Sequence, residues 1–125
     1  MLSKFQSLKK NREFQSVYRS GLSKVNRCFV MIILKNGLPY NRVGISVSKK
    51  VGNSIIRHRV TRVIREIMRL HWEDVCQGYD IVIVARKAAK DSEYKKYESA
   101  IKHLLKQHHL LLEEISHENH FDQKY

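Results

Sequence analysis

Proline occurs once and glycine five times in the 125 residues, which leaves no room for a long flexible linker. Cysteine occurs twice, at Cys28 and Cys76, with no Cys-x-x-Cys pair and no disulfide-like density, the usage expected of reduced thiols in a cytoplasmic protein. No segment approaches the roughly 18–20 uninterrupted apolar residues of a membrane span. "CFVMIIL" (28–34) is too short for one, and too deep in the chain for a signal-peptide core. No membrane is therefore expected among the partners. Nothing repeats, and no stretch is low in complexity.

The shortage that says most is of acidic residues: 12 Asp and Glu stand against 24 Lys and Arg. Residues 1–72 hold 16 of the basic residues against Glu13 and Glu66 alone, whereas residues 73–125 hold 8 against 10 acidic ones, so +14 and −2 make the net +12. Charge concentrated in this way is the footprint of a polyanion binder. With 42% hydrophobic residues the chain folds rather than forming a basic tail, and its length suits one domain.

Periodicity divides the chain into six elements. "LKKNREFQSVYRSG" (8–21) has Phe14, Val17 and Tyr18 at helical spacing before Gly21. "RCFVMIILKNG" (27–37) reads as a strand ending in an Asn-Gly turn, and "NRVGISVSKK" (41–50) alternates as a second strand, expected to lie antiparallel to the first. A helix follows from about Ser54 to Trp72 with Asn53 or Ser54 as N-cap, then a buried strand "GYDIVIVARK" (78–87). The last helix is expected over 91–115, capped by Asp91 or Ser92. The order α-β-β-α-β-α indicates an α+β sandwich, a small mixed sheet covered by helices, with one domain over 1–115 and a disordered tail over 116–125.

The fourth element carries the charge. On a wheel of roughly 100° per residue, Leu70, Val63, Ile56, Ile67, Val60 and Ile64 occupy an arc from about 220° to 340° relative to Arg57. Arg65, Arg69 and Arg62 lie near 80°, 120° and 140°, and Arg59 near 200°. Like charges at i, i+4 repel, so this face needs an outside anion, and arginine suits bidentate phosphate contacts. Lys49 and Lys50 lead into the helix N-terminus, where free N–H groups also favour an anion. A DNA-reading helix would follow another helix and carry Asn, Gln or Ser; this one follows a strand, so folded RNA is the expected partner and no DNA.

"LKKNREFQSVYRSG", "NRCFV", "RVGISVSKKVGNSIIRHRVTRVIRE" and "DIVIVARKAA", in this order, resemble the bacterial ribonuclease P protein subunit over roughly residues 8–112. The resemblance implies a small protein that joins a catalytic RNA to cut the 5′ leader from precursor tRNA. The RNA, with Mg²⁺, would perform the hydrolysis, so the protein is assigned no catalytic residue. It also implies a left-handed βαβ crossover, against the usual rule. Carried over by residue are Asn53, Arg57, His58, Arg59, Arg62 and Arg65, and with Lys49, Lys50 and Arg69 from the charge pattern they make up the RNA-binding set. His58 replaces the family's usual Asn, and Thr61 a common Lys. For the leader cleft the resemblance implies Phe14 and Tyr18, with Ile32 where an aromatic is often found.

Two rival readings stand beside this one. "HWED" offers His71, Glu73 and Asp74 to an intrinsic nuclease, although their spacing matches no ligand motif; His108, His109, His117 and His120 read as ordinary histidines. A structural RNA-binding protein of ribosomal type would share the charge and the fold class without a role in cleavage, and would have no use for exposed Phe14 and Tyr18.

Overall fold

Residues along a β-strand point alternately to opposite faces, so a sheet buried on both sides must find two separate layers to cover it. The computed structural model describes residues 6–112 and shows both layers. In chain order they are β1 (Gln6–Ser7), α1 (Asn11–Ser20), β2 (Leu22–Val25), β3 (Phe29–Lys35), β4 (Arg42–Ser46), α2 (Ser54–Leu70), β5 (Tyr79–Ala85) and α3 (Tyr94–Gln107). Short 3-10 turns at Trp72–Asp74 and Lys87–Asp91 follow α2 and β5. The strands form one mixed sheet in the order β1-β4-β5-β3-β2, in which β4 pairs parallel with β1 and β5, and β3 antiparallel with β5 and β2.

One face of the sheet presents Phe29, Met31, Ile33, Val43, Ile81, Ile83 and Ala85. Against it lie Val60, Ile64, Ile67 and Met68 of α2, and Tyr97, Ile101, Leu104 and Leu105 of α3. Phe29 meets Tyr97 edge-on at 5.7 Å between ring centres, and the Tyr97 hydroxyl donates to the Ala89 carbonyl. The opposite face holds a smaller cluster of Leu8, Val17, Ile32 and Val82 beneath α1.

Four expectations need correction. The strands over 27–37 and 41–50 are not neighbours: β5 lies between them, because its run Asp80–Ile83 is buried on both faces and takes the central position. Buried Asn41 ties this arrangement together. Its side chain donates to Cys76 O (2.8 Å) and accepts from Tyr79 N (2.8 Å), lashing the β3–β4 connection to the start of β5. Second, β1 and β2 were not foreseen; β2 is four exposed residues and β1 only two, too short for a periodic signal.

Third, α3 stops at Gln107 and is capped by Glu93, rather than by Asp91 or Ser92. His109 takes φ 60°, its N–H bonding Lys106 O (2.9 Å) while Leu110 N–H bonds Leu105 O (2.9 Å). That is a Schellman end with histidine in the position glycine usually fills, so no Gly or Pro marks the stop. The chain turns back, and Leu111 bridges Val75. Fourth, the buried arc of α2 takes in Met68 and leaves Leu70 63% exposed, a rotation of about 40° towards Arg57. Residues 113–125, with the tail, His117 and His120, lie outside the described residues. Among the described residues no helix is long and apolar enough to cross a membrane.

Candidate nucleic-acid interface

The helix α2 begins at Asn53, whose Oδ1 accepts from Ile56 N at 3.0 Å. Its first turn carries no acidic residue, so apart from the Asn53 cap no side chain of that turn offsets the partial positive charge there. Lys49 and Lys50 stand exposed on the turn before it. Asn53 thus shapes the site as a cap, whatever else its amide touches.

The rotation of α2 sorts its basic residues into two kinds. His58, Arg62, Arg65 and Arg69 are exposed at i, i+4, i+7 and i+11, a single stripe opposite the core that extends about 16 Å at 1.5 Å per residue. Arg69 reaches Glu66 at 3.4 Å, with both side chains more than half exposed, a contact of small energetic weight. Arg57 and Arg59 behave differently. Arg57 lies on the edge of the buried arc, half-buried, with its Nε enclosed and without a hydrogen-bond partner among the described residues. Arg59 donates to the Lys90 carbonyl at 3.0 Å and so braces the turn after β5. Of the four arginines from 57 to 65, Arg59, Arg62 and Arg65 are exposed and Arg57 is half-buried at the edge of the core.

The α1 face supplies the second part. Register aligns residues in rows across the strands: Arg42, Asp80, Leu34; then Gly44, Val82, Ile32, Ser23; then Ser46, Val84, Val30, Val25. Helix α1 crosses above the first two rows. Glu13 at its start bonds Arg42 (3.0 Å), the Phe14 ring lies over Gly44, and Gly21 at its end abuts Ile32. Glycine is needed at 21 for space: its φ is −81°, but a Cβ would stand 2.5 Å from Val17 O and 2.7 Å from Ile32 Cγ2. The third row is left open. Val30, Val84 and Ser46 are half-buried and Val25 is 57% exposed.

Glu13 and Tyr18 fall on opposite flanks of α1 by helical spacing. With Glu13 fixed on Arg42, Tyr18 is turned towards the open row. It is 41% exposed, and its ring centre lies 6.4 Å from that of half-buried Phe14, at 44°. The result is a trough with an aromatic wall and an apolar floor. Ile32, assigned to this cleft, is only 9% exposed and lies beneath α1. The floor residues Val30, Ser46 and Val84 went unrecognised in the sequence; strand alternation links Val30 to Ile32, but only the register brings in Ser46 and Val84. The row ends at Ser46, and residues 47–53 connect it in the chain to α2.

A bidentate ion pair anchors the far side. Arg42 Nε and a terminal nitrogen bond the two Asp80 oxygens at 2.8 and 2.7 Å, and Asn36 donates to Asp80 Oδ1 at 2.9 Å. Glu13 Oε1 accepts from the amides of Lys10 (2.9 Å) and Lys9 (3.0 Å). These amides, with Arg42 adding a smaller pull, hold its carboxyl below the ordinary carboxylate range. The nuclease candidates do not converge on the trough. His71 is the C-cap of α2; its Nε2, 2.7 Å from Glu98, links α2 to α3, and its Nδ1, 3.5 Å from Asp74, meets the 3-10 turn that follows α2. Among the described residues no trio of His, Cys, Asp or Glu is grouped to hold a metal ion.

Comparison with known proteins agrees with this architecture. Residues 2–109 match the family model for Ribonuclease P. The ribonuclease P protein component of Alkaliphilus oremlandii is 51% identical over 104 residues, covering 83% of this chain and 91% of its own. The solved RNase P protein of Staphylococcus aureus superposes with TM-score 0.80 at 37% identity, covering 86% of this chain and 99% of that one. That of Thermotoga maritima gives 0.76 at 31%, covering 82% and 96%. The chain belongs to the ribonuclease P protein family, as the protein subunit of an endoribonuclease ribonucleoprotein.

Proposed function

We propose that the stripe His58, Arg62, Arg65, Arg69, with Lys49, Lys50 and Arg57 at the head of α2, binds phosphates of the ribonuclease P catalytic RNA, and that the trough takes the unpaired 5′ leader of precursor tRNA. The observation that carries this is that residues 47–53 join a helix exposing four basic side chains to a partly open apolar row flanked by Phe14 and Tyr18. Phosphates would meet charge on the helix, and bases splayed from a single strand would meet flat or apolar surface in the trough. Stacking of that kind is tolerant of sequence, as leaders of many tRNAs require.

Chemistry would rest with the RNA. Mg²⁺ prefers hard oxygen ligands, which RNA phosphates provide in number. The acidic groups nearest the proposed surface are committed, Glu13 and Asp80 to Arg42 and Glu66 to Arg69. The protein's part is electrostatic and positional, neutralising phosphate charge that Mg²⁺ would otherwise have to screen. The ribonucleoprotein would act in the cytoplasm, where precursor tRNA is made.

The test is reconstitution with a bacterial ribonuclease P RNA. The expected result is stronger precursor-tRNA cleavage at low Mg²⁺ with the protein present, none by the protein alone, and tighter binding of leader-bearing than leaderless tRNA. Equal affinity for the two RNAs would defeat the leader assignment.

A further inference from the structure

Gly44 lies inside β4, where a residue without a side chain ordinarily weakens a strand. Its φ is not among the positive ones, which are confined to Gly37 and Gly78 in the described glycines, so backbone conformation does not require it. Space does. A Cβ at 44 would stand 2.6 Å from both Cε1 and Cζ of Phe14 and 3.1 Å from Leu8 Cδ1. The Phe14 ring is therefore seated in a notch of the sheet, closer to the strand than any side chain at 44 would permit.

Beside this seat is a clamp. Arg42, two residues before Gly44 on the same face, holds Asp80 with two nitrogens and Glu13 Oε2 with the third, at 3.0 Å. Glu13 precedes Phe14 in α1 and also accepts the Lys9 and Lys10 amides, so clamp and helix start are one unit. The seat sets the height of α1 above the sheet; the clamp sets its rotation about its own axis. Both act on the first turns of the helix that carries Tyr18 one turn later.

We infer that Gly44 and the Glu13–Arg42 pair are positioning residues for the unpaired RNA strand: they hold the Phe14–Tyr18 wall at the distance from Ser46, Val84 and Val30 at which a base fits between. This rests on the trough reading proposed above. A methyl group at 44 must push the Phe14 ring outward, because contacts under 3.0 Å are not tolerated. Loss of the Glu13 charge frees the helix to roll. Neither change touches the arginine stripe.

The test measures binding by the reconstituted ribonucleoprotein of one precursor tRNA with its leader and the same tRNA without it, under conditions that hold back cleavage. Gly44→Ala is expected to lower the leader-dependent gain in affinity about tenfold, the loss of roughly one stacked base, with leaderless binding unchanged. Glu13→Gln should do the same more weakly. In a Phe14→Ala background, Gly44→Ala should cost nothing further, and Gly44→Ala combined with Phe14→Leu should recover part of the loss, since the smaller side chain clears the methyl. Equal loss for both RNAs, or additive loss with Phe14→Ala, would overturn the inference. If Gly44→Ala alone fails to fold, the Glu13→Gln and Gly44→Ala/Phe14→Leu variants decide. If Phe14→Ala abolishes the leader preference while Gly44→Ala and Glu13→Gln keep it, positioning alone fails. A preference that survives Phe14→Ala brings down the trough reading itself.

Discussion

The two faces of the sheet are covered unequally. On one, α2 and α3 with 17 and 14 residues leave Phe29, Met31, Ile81 and Ile83 without exposed surface. On the other, the 10 residues of α1 cover two rows and leave the third open. Apolar area removed from water is the main favourable contribution to folding, so stability is concentrated on the sealed face. The open face keeps apolar floor for a ligand. Stability and recognition are thereby separable, and substitutions on the two faces should perturb different measurements.

The largest expected effect is on the sealed face. Ile64, fully buried between α2 and the sheet, should cost about 3–4 kcal/mol when cut to alanine, read from denaturant melts. Val30→Ala on the open face should cost about 1 kcal/mol, since the site is half solvated already. Equal costs would erase the distinction between the faces. Next in size is Phe14→Ala, expected to weaken binding of leader-bearing tRNA by about 1–3 kcal/mol while barely altering binding of mature tRNA. Parallel titrations of both RNAs check this, and the melt of the same variant reports how far Phe14 also serves the small cluster beneath α1.

The arginine stripe comes third. Arg62→Ala and Arg65→Ala should each lower the slope of log affinity against log salt by roughly 0.7–0.9 and leave stability within about 0.5 kcal/mol. Arg57→Ala should move the unfolding midpoint as well, because part of its side chain packs at the core edge. A common response from all three would argue against two kinds of arginine.

The smallest effect concerns His108, buried on the sealed face with Nε2 2.9 Å from Met31 O and Nδ1 without a partner among the described residues. The carbonyl accepts, so Nε2 carries a proton, and burial favours the neutral form of the ring. Burial pushes its pKa below the ordinary 6.5, with Lys24 and His109 adding to the shift against the weaker opposing pull of the Met31 bond. The unfolded chain then takes up this proton first as pH falls. The contribution of His108 is fully present above about 6.5 and is lost between that value and the lower folded pKa. His108→Gln, which retains a donor to Met31, should flatten the change in stability between pH 7.5 and 5.5 relative to the parent protein. An unchanged pH dependence would locate the titrating group elsewhere.

Legibility in the sequence followed the range of the interactions. Local rules identified the basic α2 with its cap at Asn53 or Ser54, the β-rich runs of β3 and β5, and Phe14 and Tyr18 as neighbours on one helix, because side-chain period and capping depend on residues three or four apart. The same rules set Leu70 in the core and ran α3 past His109, and the family resemblance put Ile32 in the cleft. Whether α1 covers Ile32 is a matter of where a helix lands on a sheet. The end of α3 is set by Leu110 and Leu111 docking beside Val75, which outweighs the cost of a left-handed histidine.

Sequence alone determined a basic α+β fold with an amphipathic arginine helix, since composition and periodicity are properties of the chain itself. Tertiary structure decided that β5 enters between β3 and β4, and with that insertion came the row Ser46, Val84, Val30, Val25. These residues are spread over three strands and lie next to one another only through backbone hydrogen bonds between distant segments. No local period records such a pairing, so the trough exists only once the sheet has closed.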